Sequence, residues 1–224
     1  MCGRFTLTTP LDVLLDRFQA TTAIEDYTPR YNIAPSQQIL TLINNGKENR
    51  LGYLKWGLIP YWAQDPKIAY KMINARAESI DQKPSYKHSF KNKRCLVIAD
   101  SFYEWKREDG KKSPHRIRLK SEQPFAFAGL WDKWVSGDGE PVYSCTIITT
   151  KPNDLMASIH DRMPVILTKQ QEKIWLDRDV KDTDLLKRFL VPYDAKEMEA
   201  YQVSNLVNSP KNEVAECLLP INSL

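Results

Sequence analysis

The sequence predicts a curved, barrel-like antiparallel β-sheet with short helices packed around it. Short apolar or alternating stretches are joined by hairpin signals at Asn44-Asn45-Gly46, Asp109-Gly110 and Gly137-Asp138-Gly139. Helical periodicity, with apolar residues three and four positions apart, is confined to short segments. A meander of this kind favours an antiparallel sheet over a parallel one, in which strands and helices would alternate.

Length and composition are those of an ordinary globular protein. The 224 residues are 42% hydrophobic and 27% charged, with a formal net charge of +4. We find no internal repeat, low-complexity segment or long linker, and expect a single domain over residues 1–224. The mildly basic charge permits a polyanionic partner without requiring one.

The cysteines argue against a disulfide framework or a zinc site. They stand at positions 2, 95, 145 and 217, without a CxxC pair. No apolar run reaches membrane-spanning length and the start is not a signal peptide, so we expect no membrane partner. The expectation is a cytoplasmic protein, associated with the nucleoid if bacterial, with no metal and no organic cofactor.

The first half of the chain begins with a helix and continues in strands. Thr9-Pro10-Leu11-Asp12 predicts a helix start with Thr9 as the cap, and an apolar face extends the helix over roughly 10–20. Residues 37–43 and 51–57 are expected to pair as a hairpin, and 94–100 to form a buried strand.

The second half adds strands and three short helices. Strands are expected near 115–120, 125–131 and 142–150, and a last strand near 203–208. Helices are expected over 152–159, from a capping box at Thr168 through Leu176, and over 184–190 with Thr183 as the cap.

The start Met1-Cys2-Gly3-Arg4-Phe5 suggests a reactive N-terminus. Removal of Met1 would leave Cys2 with an α-amine titrating near pH 8 and a thiol titrating near 8.5. The amine of such a 1,2-aminothiol condenses with an aldehyde to an imine, and the sulfur then closes a thiazolidine ring. The alternative is that Met1 stays and Cys2 is a small apolar residue that holds the terminus.

Three further segments carry candidate polar groups. In an extended chain Asn74, Arg76 and Glu78 would point to one side, either at a site or along a solvated edge. Glu104 stands among aromatic residues, where burial would raise its pKa and suit it to proton transfer, unless it is bridged to an arginine. His160, next to an acid and a base, is either a proton donor and acceptor or a structural residue.

Aromatic residues are concentrated in Trp56-Gly57-Leu58-Ile59-Pro60-Tyr61-Trp62. The segment either caps the core or offers rings on which nucleic-acid bases stack or between which they are held apart.

In their order and spacing, these segments resemble the SOS-response-associated peptidase (SRAP) family of abasic-site processing proteins. The motifs that carry the resemblance span nearly the whole chain: Met1-Cys2-Gly3-Arg4-Phe5, Arg30-Tyr31-Asn32-Ile33-Ala34-Pro35, Trp56-Gly57-Leu58-Ile59-Pro60, Asn74-Ala75-Arg76-Ala77-Glu78, Phe102-Tyr103-Glu104-Trp105, His160-Asp161-Arg162-Met163-Pro164 and Val203-Ser204-Asn205-Leu206-Val207-Asn208. The resemblance implies an α+β fold with a barrel-like antiparallel sheet and a positively charged DNA groove.

The resemblance also implies a reaction and its residues. Cys2 would form a thiazolidine crosslink with the aldehyde of an abasic site in single-stranded DNA. Glu104 would transfer protons, Asn74 would hold the sugar or the Cys2 amine, and His160 would act as acid and base at the imine. Lyase activity and removal of its own Met1 are further expectations, and the protein is expected to act as a monomer.

For DNA binding, the expected phosphate contacts are Arg4, Arg76 and Arg162, since arginine presents a fork to phosphate oxygens. The remaining DNA-binding candidates are Asn32, Pro35 and Trp62, of which Pro35 and Trp62 would stack on or separate bases. Some relatives place an arginine just before the aromatic residue that is Tyr86 here; this chain has Lys83-Pro84 instead, which puts one phosphate contact in doubt.

Two other functions are open from the sequence. An N-terminal-nucleophile amidotransferase also begins Met-Cys-Gly, but its Asn-Gly-Asp segment is matched here only by Asn45-Gly46-Lys47 in a hairpin turn. A non-covalent single-strand binding module would treat intact and abasic strands alike, and Cys2→Ala would be silent in it.

Overall fold

The computed structural model describes residues 2–221. Its strands are β1 Arg4–Leu7, β2 Ala20–Thr22, β3 Arg30–Ile33, β4 Gln38–Asn44, β5 Asn49–Trp56, β6 Asn74–Arg76, β7 Arg94–Ala99, β8 Ser101–Glu108, β9 Lys111–Leu119, β10 Phe125–Val135, β11 Pro141–Thr150, β12 Met163–Pro164, β13 Ile166–Leu167 and β14 Met198–Gln202. Its α-helices are α1 Leu11–Phe18, α2 Pro84–Asn92, α3 Asp154–Ala157, α4 Lys169–Leu176 and α5 Thr183–Lys187. Short 3₁₀ helices occupy Pro66–Lys71, Ala77–Ser79, Ala195–Glu197, Asn205–Asn208 and Ala215–Leu218.

The barrel-like antiparallel sheet expected from the sequence is confirmed. Strands β4, β5, β11, β10 and β7 pair in that order, and β7 returns to β4, so these strands close a barrel. The pairing of β5 with β11 is parallel, at Lys55 with Ser144 and Trp56 with Cys145. This parallel contact joins strands far apart in sequence, and the hairpin pattern did not predict it.

A second sheet, in the order β14-β9-β8-β1-β3, lies beside the barrel. The chain crosses from β7 of the barrel to β8 of the second sheet at Asp100, whose carboxylate accepts hydrogen bonds from the hydroxyls of Thr6, Thr8 and Thr9. These bonds fix the N-terminal segment to the crossing point. Strand β8 pairs with β1, with Arg4 opposite Tyr103, which directs Cys2 toward the middle of β8.

An aromatic core joins the two sheets. The Phe5 ring of β1 meets Trp56 at 5.2 Å and Phe127 at 5.9 Å between centroids, and Phe102 of β8 meets Phe127 at 5.9 Å. All four side chains are buried, and burial of each contributes roughly 1.5–3 kcal/mol. This packing holds β1, and with it the N-terminus, between the barrel and the second sheet.

Several predicted elements are confirmed and three details are wrong. The capping box at Thr168 opens α4, where Gln171 completes it. Thr9 does not cap α1. The N-cap of this helix is Pro10, and the Thr9 hydroxyl donates a hydrogen bond to the carboxylate of Asp100 instead. Asp182, not Thr183, caps α5, because its carboxylate accepts from two backbone amides of the first turn.

The predicted last strand over 203–208 is also wrong. That segment is a 3₁₀ helix at Asn205–Asn208, and the strand of this region is β14, just before it. The Ser204 side chain accepts from the amide of Leu206 and starts a helical turn instead. Among residues 2–221, no helix is long and apolar enough to span a membrane.

Candidate functional site

Cys2 lies fully buried where β1 meets β8. Burial raises the pKa of its thiol, and the charge of Glu104 raises it further. A thiolate is therefore disfavoured at neutral pH. Loss of the thiol proton must accompany bond formation at the sulfur, and this requires a nearby acceptor.

Glu104 is the carboxylate that stands next to Cys2. It lies in β8, with an exposed fraction of only 3%. Burial raises its pKa, whereas the charge of a protonated His160 works in the opposite direction. A carboxyl group whose pKa is moved toward neutrality can both give and take a proton.

His160 faces Glu104 from the segment after α3. Its Nε2 lies 3.9 Å from Oε2 of Glu104, and its Nδ1 lies 2.9 Å from Oδ1 of Asp161. The backbone amide of Arg162 donates to the same Nδ1 at 3.1 Å. Neutral imidazole with its proton on Nε2 accepts the Arg162 amide, whereas the protonated ring can donate from Nδ1 to Asp161.

Asn74 begins β6, which pairs in parallel with β11 opposite Ile147. Both polar atoms of its side-chain amide are buried, and neither has a hydrogen-bond partner within residues 2–221. Leaving a buried amide unpaired costs roughly 1–3 kcal/mol. A buried amide without a partner calls for an explanation, and a hydrogen bond to a bound ligand is one.

A cavity of about 300 Å³ opens onto Glu104 and His160. Its other lining residues are Trp105, Arg107, Lys112 and Asn208. We did not predict a role for any of these four from the sequence. The run of cations in the β8–β9 hairpin could have indicated Arg107 and Lys112. Alternate positions of a strand face the same side, so some of these cations had to lie on the side of Glu104.

Arg4 and Asn32 lie together under the segment that follows β14. Nη1 of Arg4 donates to Oδ1 of Asn32 and to the carbonyl of Val207, both at 2.7 Å. The Asn32 amide donates to the carbonyls of Ser209 at 2.9 Å and Asn212 at 3.0 Å, and its side chain is fully buried. The contacts of both residues therefore hold the chain in place, and their contact with DNA stays a prediction.

The row Asn74, Arg76 and Glu78 is not continuous. Strand β6 ends at Arg76, and Ala77–Ser79 turns into a 3₁₀ helix. Arg76 is exposed, whereas Glu78 forms a bidentate ion pair with Arg162, at 2.6 Å and 3.0 Å. The pKa of Glu78 is lowered, chiefly by the hydrogen bonds from Arg162.

The aromatic segment divides into core and surface. Trp56 is fully buried, whereas Tyr61 and Trp62 expose 58% and 46% of their surface. Gly57 starts the turn with φ at +130°, where a Cβ atom would lie 2.8 Å from the carbonyl oxygen of Ala69. Pro35 is partly exposed after β3. Both Pro35 and Trp62 are thus accessible to a ligand.

A larger cleft of about 950 Å³ lies between α1, the β4–β5 hairpin and α4. It contains none of the candidate residues. Its side chains include the buried ion pair of Arg17 with Glu172, whose atoms approach to 2.9 Å. We therefore base the candidate site on the titratable residues of the smaller cavity, Glu104 and His160, and not on cavity size.

The chain is similar to known proteins over most of its length. Residues 1–210 match the family described as SOS response associated peptidase (SRAP). Abasic site processing protein YoqW from Bacillus subtilis (strain 168) is 59% identical over 221 residues, covering 97% of this chain and 99% of that protein. Abasic site processing protein HMCES from Xenopus tropicalis is 34% identical over 229 residues, covering 88% of this chain and 68% of that protein.

The fold is shared with solved structures. A protein from Bacteroides thetaiotaomicron superposes with a TM-score of 0.88 at 27% identity, covering 96% of this chain and 98% of that one. A protein from Bordetella bronchiseptica gives a TM-score of 0.78 at 25% identity, covering 91% of this chain and all of that one. Because the family model covers nearly the whole chain and close relatives align from end to end, this chain belongs to the SRAP family.

Proposed function

We propose that this protein processes abasic sites by forming a covalent bond to them through Cys2. The names of its relatives support abasic-site processing as the general role. The observation that carries the chemistry is the placement of a buried Cys2 beside Glu104, with His160 on the other side of that carboxylate.

The reaction begins at the α-amine of Cys2 once Met1 has been removed. Met1 itself lies outside the described residues. The amine adds to C1′ of the ring-opened abasic sugar, and loss of water gives an imine. The Cys2 sulfur then adds to the imine carbon, the thiol proton passes to the imine nitrogen, and a thiazolidine ring closes. One water molecule is released overall, and no oxidant or reductant is needed.

Glu104 and His160 supply the proton transfers. Glu104, with its raised pKa, takes the thiol proton and returns it to nitrogen, which the high pKa of the Cys2 thiol makes necessary. His160 exchanges protons with Glu104 across the 3.9 Å separation, after a small approach or through one water molecule. Asn74 offers its unpaired amide to the sugar or to the Cys2 amine.

Single-stranded DNA is the proposed substrate because the surrounding groups suit an unpaired strand. Arg76 and Arg162 contact phosphates, Pro35 and Trp62 meet bases beside the lesion, and Arg4 with Asn32 supports the floor of the groove. Aromatic and cationic contacts of this kind bind with little sequence preference and with strong salt dependence.

Two side reactions belong to the same proposal. An imine that sulfur does not trap can undergo β-elimination, which would give weak lyase activity. The Cys2 thiol would add to the carbonyl carbon of Met1, with Glu104 taking the thiol proton and His160 protonating the Cys2 nitrogen as the peptide bond breaks. Water would then hydrolyse the resulting thioester, which releases Met1 and restores the thiol without another enzyme.

The decisive test is a denaturing gel of the protein with single-stranded DNA that carries one abasic site. A heat-stable band requiring both the lesion and Cys2 is expected. Cys2→Ser keeps the amine and should give a band only after borohydride reduction, since it forms the imine but not the thiazolidine. A tetrahydrofuran lesion, which has no aldehyde, is the control strand.

Intact-mass spectra establish whether the protein begins at Cys2. If protein shown to begin at Cys2 gives no band with the abasic strand, covalent chemistry is ruled out and non-covalent binding remains.

A further inference from the structure

A surface outside the candidate site combines aromatic rings and cations in unbroken succession. The Tyr61 ring lies 5.7 Å from His88, and Nζ of Lys93 lies 5.9 Å from Tyr61 and 5.7 Å from Trp131. The Trp131 ring lies 6.4 Å from Tyr143, which in turn has Nζ of Lys133 at 5.7 Å. We call this set of six residues the aromatic–lysine strip.

The rings of the strip are accessible. Tyr61 and Tyr143 expose 58% and 43% of their surface, Trp131 is partly exposed, and His88 and Lys133 are exposed. Exposed rings that lie next to one another and are flanked by polar groups mark interaction sites more often than singly exposed rings do. The strip is therefore a candidate interaction surface.

The charge of the strip is positive. Asp132, the acid between Trp131 and Lys133, is 2% exposed, forms an ion pair with Lys93 and accepts a hydrogen bond from the backbone amide of Tyr61. Lys133 therefore keeps its charge for a partner. Helix α2, which carries His88, adds exposed Lys87 and Lys91 and contains no acidic residue.

The strip adjoins a proposed DNA-binding residue in the chain. It begins at Tyr61, the neighbour of Trp62 in the turn after β5. That turn is anchored to the β10–β11 hairpin, because the Trp134 indole donates to the carbonyl of Ala63 at 2.6 Å and Ser144 accepts from the amide of Ile59 at 2.8 Å. The turn that carries Tyr61 and Trp62 is therefore held against the hairpin that carries other rings of the strip.

We propose that the aromatic–lysine strip binds the single-stranded DNA that flanks the abasic site. Aromatic faces accept any base by stacking, and Lys133 beside Tyr143 can neutralise a phosphate, which is the combination found in sequence-independent single-strand binding. A duplex would hide its base faces from these rings, so an unpaired flank fits the strip better. The inference rests on the proposed function, and it adds a second contact region for the same substrate.

The test compares a short strand of about 6 nucleotides with a long strand of about 30, each carrying a central tetrahydrofuran lesion to exclude covalent capture. Affinity is measured by fluorescence anisotropy over a range of salt concentrations. For the double variant Trp131→Ala/Tyr143→Ala we expect about tenfold weaker binding of the long strand and unchanged binding of the short one. For Lys133→Gln we expect the salt slope on the long strand to fall by about 0.7.

Matched controls lie off the strip. Tyr53→Ala removes a tyrosine that is 42% exposed, and Lys47→Gln removes an exposed lysine of the β4–β5 hairpin. Both should bind the long strand like the wild type. If the double variant does not fold, Lys133→Gln and Tyr61→Ala, at exposed positions, carry the test.

Two results would overturn the proposal that the strip binds DNA. One is an affinity for the long strand that no variant changes, and the other is an equal loss of affinity for the short and the long strand. Crosslinking of a short strand with a true abasic site separates this inference from the proposed function. Suppose that the wild type crosslinks the short strand through Cys2 and that the strip variants bind long strands normally. This result would refute DNA binding by the strip and leave the proposed function intact. Failure to crosslink refutes the proposed function itself.

Discussion

Glu78 holds the guanidinium of Arg162 by two parallel hydrogen bonds, from Nη1 at 2.6 Å and from Nη2 at 3.0 Å. Nη2 also donates to the carbonyl of Thr149 at 2.7 Å. Arg162 is thereby oriented, but the carboxylate occupies the fork that a DNA phosphate would use. A proposed phosphate contact and an acidic competitor thus share one guanidinium.

Glu78→Gln is therefore expected to tighten binding of single-stranded DNA. Because the Glu78 side chain is 55% exposed, the pair contributes at most about 1 kcal/mol, which corresponds to a gain of up to about fivefold. Anisotropy titrations at low salt measure it. Glu48→Gln, at an exposed acid of the β4–β5 hairpin, controls for the change in net charge, and weaker binding by Glu78→Gln would show that orientation of Arg162 dominates.

Glu104→Gln is expected to raise stability as it lowers activity. Since the pKa of Glu104 is raised in the folded protein, the folded state binds the proton more tightly than the unfolded state does. The free energy of unfolding of the wild type therefore falls as the pH rises through the pKa that Glu104 has in the folded protein. The variant has no carboxyl group at this position and does not lose stability in this way. Denaturant unfolding should show the variant more stable by about 0.5–2 kcal/mol at neutral pH, with the difference shrinking at acid pH.

The same Glu104→Gln variant should slow crosslinking by about 10²–10⁴-fold, since it removes the acceptor for the thiol proton. Single-turnover rates on an abasic strand measure the effect. Glu108→Gln, at an exposed acid near the end of β8, is the matched control. Wild-type rates for Glu104→Gln would exclude this carboxylate from the reaction.

Asn74→Leu separates stability from reactivity at the buried amide. Its unpaired polar atoms are replaced by apolar ones of similar size, so we expect the protein to be stabilised by about 1 kcal/mol. Crosslinking should decrease by tenfold or more, because the hydrogen bonds to the substrate are lost. If the variant unfolds more easily than the wild type, the Asn74 amide stabilises the folded protein and is not an unpaired group that bonds only to a ligand.

Asn32→Ala tests whether Asn32 supports the fold or contacts DNA. It would remove the hydrogen bonds that this buried side chain makes with the guanidinium of Arg4 and with the carbonyls of Ser209 and Asn212, which should cost about 2–3 kcal/mol. Thermal unfolding measures the loss. Unchanged stability together with weakened DNA binding would instead favour direct contact, as the sequence suggested.

Local patterns predicted those features that depend on neighbouring residues. The capping box at Thr168, the hairpin at Asn44-Asn45-Gly46 and the buried strand from Arg94 each require only propensities and periodicity over a few positions. The motif order identified the family, and the aromatic neighbours of Glu104 correctly indicated its burial. The single domain over residues 1–224 and the roles of the site residues stay predictions.

Contacts between residues far apart in the chain could not be predicted from local sequence patterns. The parallel pairing of β5 with β11 closes the barrel across nearly ninety positions, and no local pattern encodes which strands meet. The helix caps predicted at Thr9 and Thr183 and the strand predicted over 203–208 were wrong. The Thr9 hydroxyl bonds the distant carboxylate of Asp100, the neighbouring Asp182 caps α5, and Ser204 starts a 3₁₀ turn.

The residue types of Cys2, Glu104 and His160 determine which reactions these side chains can take part in. Their approach to one another depends on the packing of β1 against β8 and of α3 against the second sheet. Only that packing buries the thiol and the carboxyl group together, which is what raises both of their pKa values. The same holds for the Glu78–Arg162 pair and for the aromatic–lysine strip. Residue type sets what each group can do, and the desolvation and distances that tune it arise only when remote segments meet.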